Sequence, residues 1–187
     1  MNNPRLLLDM DGVLVDLLTH LLQVSNLTEE QAYKEMIKER PEANPSLCVY
    51  LIKKHLLSEP FIHAKPTANF SFFKSLISEL QRNDDEVAIL SSGTSQPEYD
   101  EIVRQKKIWL KNNLEDMDAY FSAGAKFKQE YANKNTILID DNPTTVREFC
   151  SKGGIGIYYP NHSYDTLLRL MDILKYYYPY LKHTSWS

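Results

Sequence analysis

The stretch LLLDMDGVLVD, residues 6–16, decides how the rest of the chain is read. Three leucines run into Asp9 and Asp11, two carboxylates one residue apart, and Gly12 follows at once. A short apolar run ended by turn residues is the pattern of a strand buried on both faces. Paired negative charge at its end needs a use, because crowded or buried carboxylates are costly unless a cation or hydrogen-bond donors compensate them. Asp-Gly between apolar runs is also a hairpin signal, so the stretch alone permits a plain turn. What the other strand ends bring decides between these readings.

Further strands are predicted at residues 86–91 (EVAILS), 118–122 (DAYFS), 136–140 (TILID) and 154–159 (GIGIYY), with the first at 5–9 (RLLLD). Helical periods lie between them. Phe73, Leu76, Ile77 and Leu80 form one stripe of a helix expected to begin at Pro66 and Thr67. Residues 98–114 carry Ile102, Trp109, Leu110 and Leu114 on a comparable face, and 143–151 and 163–178 read as two further helices. Strand alternating with helix implies an α/β fold, a Rossmann-like parallel sheet with helices on both faces.

One connection is too long. About 75 residues separate the first two strands, where the later crossovers need far fewer. Within that gap Thr28 and Gln31 have capping-box spacing, and Leu47, Tyr50, Leu51 and Leu57 recur at helical spacing. Residues 17–65 therefore read as a small helical cap inserted after strand one, with 1–16 and 66–187 forming the core domain. The insertion leaves the carboxyl end of a strand, where open parallel sheets bind ligands.

Composition bounds the function. The chain has 187 residues, 43% of them apolar, enough for one sizeable core and a small accessory unit. A net charge of −4 argues against an extended nucleic-acid surface or attraction to anionic membranes. No apolar run is long enough to span a bilayer, and the opening residues do not read as a signal peptide, so a cytoplasmic location is expected. Cys48 and Cys150 stand in no metal-like spacing and read as buried, reduced thiols.

With the strands aligned, strand one delivers Asp9 and Asp11, strand two Ser91 and Ser92 before Gly93, and strand four Asp140 and Asp141. The segment AGAKFKQEYA brings Lys126 and Lys128 between them. Acid pair, hydroxyl, lysine and acid pair, in that order, resemble the motifs of the haloacid-dehalogenase (HAD) phosphatase superfamily over residues 5–160. Within it the chain is most similar to the 5′(3′)-deoxyribonucleotidases and related phage and bacterial nucleotidase-like proteins. That likeness rests on DMDGVL, the helical insertion, ILSSGTS followed by KKIWLKNNL, and LIDD. Gly93 stands where that branch has proline after the hydroxyl pair.

The resemblance implies a Mg²⁺-dependent phosphomonoesterase whose partner is a small phosphorylated substrate, a nucleoside monophosphate first among them. Asp9 would be the nucleophile and a metal ligand. Asp11 would give its backbone carbonyl to the metal and its side chain to acid/base work. Ser91, Ser92, Gly93 and Lys128 would hold the phosphoryl oxygens. Asp140 and Asp141 complete the metal set. Spacing does not separate the two, and the resemblance favours Asp141 as direct ligand with Asp140 its neighbour or the lysine's partner. Lys128 is preferred to Lys126 on the resemblance of KxxYA to related nucleotidases. Tyr50 and Phe61 are candidates to stack a base, with His55 and His63 as polar contacts; Asp16 is expected to cap the first inserted helix.

Other readings fit less well. An EF-hand counted from Asp9 puts Leu14 where glycine is needed and His20 where glutamate is needed. No phosphate-binding G-x-x-x-x-G-K-[ST] stretch accompanies the acidic strand end at TILIDD. A phosphorylation-dependent receiver module orders its acids differently. A phosphatase for a sugar phosphate or a polynucleotide end, and a non-catalytic binder of metal or phosphate, remain the alternatives.

Overall fold

The computed structural model describes residues 3–39, 46–93, 98–114, 117–184 and 186. Its centre is a sheet of five parallel strands: β1 (Arg5–Leu8), β2 (Val87–Ser92), β3 (Ala119–Ser122), β4 (Thr136–Asp140) and β5 (Ile155–Tyr158). Their order is β3-β2-β1-β4-β5, a Rossmann-like α/β arrangement. The first strand is central because Leu6, Leu7 and Leu8 are all buried. Leu6 and Leu8 pack with Ile89, Ile137 and Ile139 on one face, while Leu7 packs with Ala88, Leu90, Leu138 and Phe149 on the other. Burial on both faces in turn requires helices on both.

Helices α5 (Phe70–Arg82) and α8 (Tyr164–Tyr177) contribute Phe73, Leu76, Leu170 and Leu174 to the first face, and α7 (Pro143–Ser151) contributes Phe149 to the second. α5 starts later than Thr67, because the Thr67 amide donates to Leu14 O (2.9 Å) and its hydroxyl to Val13 O (2.8 Å). That residue pins the turn after β1 and is not free to open a helix. β2 extends to Ser92 because it pairs with Ser122 of β3.

Between β1 and α5 the described residues form four α-helices: α1 (Leu17–Ser25), α2 (Glu29–Glu39), α3 (Leu47–His55) and α4 (Pro60–His63). Their starts follow local chemistry. Asp16 accepts from Thr19 N at α1, Ser46 from Val49 N at α3, and Thr28 with Gln31 closes a reciprocal capping box at α2. Leu57 departs from expectation. It sits in a 3-10 turn where the helical period has ended, and it is 98% exposed.

Helix α6 (Tyr99–Asn113) joins these helices to the sheet. Buried Gln105 accepts from Phe61 N (3.2 Å) and donates to Leu56 O (3.1 Å), and Trp109 Nε1 donates to Ala64 O (2.8 Å). Among the described residues no helix is long and apolar enough to cross a membrane.

Trp109 is almost wholly buried, with its one polar atom satisfied at Ala64. Trp109→Ala should therefore lower the unfolding free energy by about 3–5 kcal/mol, read by urea denaturation.

Candidate active site

The order of the sheet puts β1 beside β4, so their carboxyl ends meet. Asp9 N donates to Ile139 O at 2.9 Å, which levels Asp9 with Asp140. One ligand oxygen each from Asp9, Asp140 and Asp141 lies within 4.8 Å of the others. Lys128, on the 3-10 segment Ala125–Tyr131 after β3, places Nζ 2.7 Å from Asp9 Oδ1 and 2.7 Å from Asp140 Oδ2. The other Asp140 oxygen accepts from Asn142 N (2.8 Å). Asp140 is thus the lysine's partner.

Gly12 closes this corner. Its φ of +76° lies in the left-handed region, and a Cβ there would stand 2.1 Å from Asp141 Oδ2. Only glycine lets the β1 turn and the end of β4 approach this closely. His162 accompanies it, Nε2 lying 3.0 Å from Gly12 O.

A second lysine escaped the reading of the sequence. Lys106 of α6 is completely buried, with Nζ 2.5 Å from Asp11 Oδ2, 2.9 Å from Ser91 Oγ and 2.7 Å from Ser92 O. The signal was present. Lys106 falls four residues after Ile102 and three before Trp109, on the buried face of the helix, where an unpartnered lysine would be costly.

Four carboxylates (Asp9, Asp11, Asp140 and Asp141) thus face two ammonium groups. Burial, then the charge of Asp9, pushes Asp140 up to about 6. Burial followed by Asp9, Asp140 and Asp11 pushes Asp141 up to about 8. Burial also raises Asp11, against the pull of Lys106. For Lys128 burial works against the charge, but Asp9 and Asp140 outweigh it and hold the ammonium above its ordinary range. Crowded oxygen ligands with uncompensated negative charge fit a hard divalent cation.

These groups floor a cavity of about 510 Å³. Its walls also include Ser92, Gly93, Thr67 and His162, and its apolar side is formed by Leu17, Leu18, Val49, Ile52, Phe61 and Ile102. Several expectations need correction. Ser91 does not line the cavity; it is fully buried with its hydroxyl on Lys106, and Ser92 and Gly93 stand at the wall instead. Tyr50 is buried among the inserted helices with its hydroxyl near Lys54, so Phe61 is the aromatic at the cavity. His55 is spent on Ser25 (2.8 Å), and His63 is not a lining residue. Lys126 lies over the Phe127 ring and Lys128 in the acid cluster. Cys48 lines the cavity, whereas Cys150 is exposed, contrary to expectation.

No family model matches the chain, and no curated protein does. Solved structures share its fold. A HAD-superfamily hydrolase from Ehrlichia chaffeensis matches with TM-score 0.53 and 15% identity, covering 95% of this chain and 99% of that one. A dehalogenase matches with TM-score 0.53 and 13% identity over 84% of each chain. YfnB of Bacillus subtilis, assigned to the HAD hydrolases and bound to magnesium, matches with TM-score 0.52 and 16% identity, covering 94% of this chain and all of that one. At these identities the likeness is one of fold.

Two outcomes follow from the site. Burial, with the charges of Asp11 and Asp141, pushes the Cys48 thiol up to about 12, so iodoacetamide at pH 8 should alkylate Cys150 in the folded protein and spare Cys48, read by peptide mass. Removing the cation of a buried cluster leaves its carboxylates unpaired, so Lys128→Met should cost about 3–5 kcal/mol in metal-free buffer, read by urea denaturation.

Proposed function

We propose that the chain is a Mg²⁺-dependent phosphomonoester hydrolase working through an aspartyl-phosphate intermediate, with a nucleoside or deoxynucleoside monophosphate as substrate. One observation carries the reading: Asp9, Asp140, Asp141 and the doubly paired Lys128 converge at one sheet edge, with Asp11 beside them on the floor of the cavity. In this reading residues 17–65 are a cap over a core made of 1–16 and 66–187.

The chemistry runs in two displacements. An Asp9 carboxylate oxygen attacks phosphorus as the ester P–O bond breaks, and the Asp11 carboxyl gives its proton to the departing oxygen. Asp11, now ionised, takes a proton from the water that attacks the aspartyl phosphate, which releases inorganic phosphate and restores Asp9. Lys128 and the Ser92–Gly93 turn bind the phosphoryl oxygens, whose charge spreads in the transition state. Asp9, Asp141 and Asp140 would hold Mg²⁺ with the Asp11 carbonyl, and Mg²⁺ supplies neutralisation of phosphoryl charge. Magnesium in the Bacillus subtilis neighbour supports that choice.

The substrate class follows from the far wall. Leu17, Leu18, Val49, Ile52 and Phe61 offer apolar surface and one aromatic ring, suited to a base more than to a bare polyol. Both lysines at the cavity are already engaged with carboxylates, which favours a monophosphate over a polynucleotide end.

The test is phosphate release from a panel of nucleoside and deoxynucleoside 5′-monophosphates, sugar phosphates and phosphorylated oligonucleotides, with and without Mg²⁺. Turnover should require the metal, favour the mononucleotides and fall at least roughly a thousand-fold in Asp9→Asn. A folded, Mg²⁺-binding protein without turnover on any substrate would overturn the hydrolase in favour of a non-catalytic binder.

A further inference from the structure

We propose that Lys106 is a positioning residue for this reaction, holding the carboxyl of Asp11 against the end of β2 so that the general acid is fixed in place. The inference rests on the phosphatase reading and goes beyond it.

An ammonium has three hydrogens and accepts nothing. Lys106 has three acceptors within reach: Asp11 Oδ2 at 2.5 Å, Ser91 Oγ at 2.9 Å and Ser92 O at 2.7 Å. No hydrogen is left for a substrate oxygen, so the lysine acts through Asp11 and the β2 terminus. Asp11 Oδ2 is committed as an acceptor, and Oδ1 is buried with no partner among the described residues. The lysine spends all its hydrogens on these acceptors and so fixes where the Asp11 carboxyl stands relative to the end of β2.

The lysine is itself held. Its neighbour Gln105 is bonded to Phe61 N and Leu56 O, and the Phe61 ring lies 4.8 Å from the Lys106 ammonium. Burial strengthens such an ion pair and penalises any arrangement that breaks it. Consecutive residues of α6 thus grip the inserted helices with one side chain and Asp11 with the next.

A role through the general acid has a signature that loss of packing lacks: it depends on the leaving group. Lys106→Met should lose roughly 100-fold in kcat on an alkyl phosphate, with KM within about threefold, and less than about fivefold on 2,4-dinitrophenyl phosphate, whose leaving group needs no proton. In an Asp11→Asn background the same change should cost nothing further on the alkyl ester. Equal losses on both esters, or additive losses in the double variant, overturn the proposal. Should Lys106→Met not fold, comparison of the wild type with Asp11→Asn still decides. With ¹⁵N-labelled lysine, an ammonium resonance protected from exchange should shift or vanish in Asp11→Asn, and an unchanged lysine spectrum overturns the pairing. Wild-type protein that hydrolyses neither ester overturns the phosphatase reading instead, a result separate from the resonance.

Discussion

The ion pair network of Lys128 with Asp9 and Asp140 is the constraint on which the site depends. Asp9 ends β1 and Asp140 ends β4, two strands far apart in sequence that are neighbours because the chain reverses direction across the sheet at β1. Bringing two buried carboxylates level would be unfavourable without a cation between them. A lysine with no solvent exposure to speak of supplies it, and Asp141 beside the pair leaves the cluster with net negative charge.

The second lysine solves a related problem at the other side of β1. Asp11 stands past the end of β1, where the turn begins, and Lys106 ties it to β2. The lysine reaches it from a helix whose other buried residues, Gln105 and Trp109, hold the inserted segment. The same helix thus sets the distance between the floor and the roof of the cavity.

Much of this architecture was legible in the residues. The strands ending in acids, the helical stripe of Phe73, Leu76, Ile77 and Leu80, and the capping box of Thr28 and Gln31 all state their structure locally, through side-chain period and hydrogen bonds a few residues long. The sequence order of the motifs also singled out Asp9, Asp11, Asp140, Asp141 and Lys128 as residues of one strand edge. Thr67 shows where local reading fails, because its donors go to a turn more than 50 residues earlier in the chain.

By itself, then, the sequence determined the fold class, the helical character of the long connection between β1 and β2, and the acids and lysine that meet at the sheet edge, since each depends on periodicity or on position at a strand end. Tertiary structure alone decided which side chains face the cavity. Ser91 and Tyr50 turn away from it, Phe61 and Cys48 line it, and Lys106 reaches Asp11 across 95 residues of chain. The physical reason is that a strand or helix period says which face is buried, while the partner met on that face is chosen by how the elements pack.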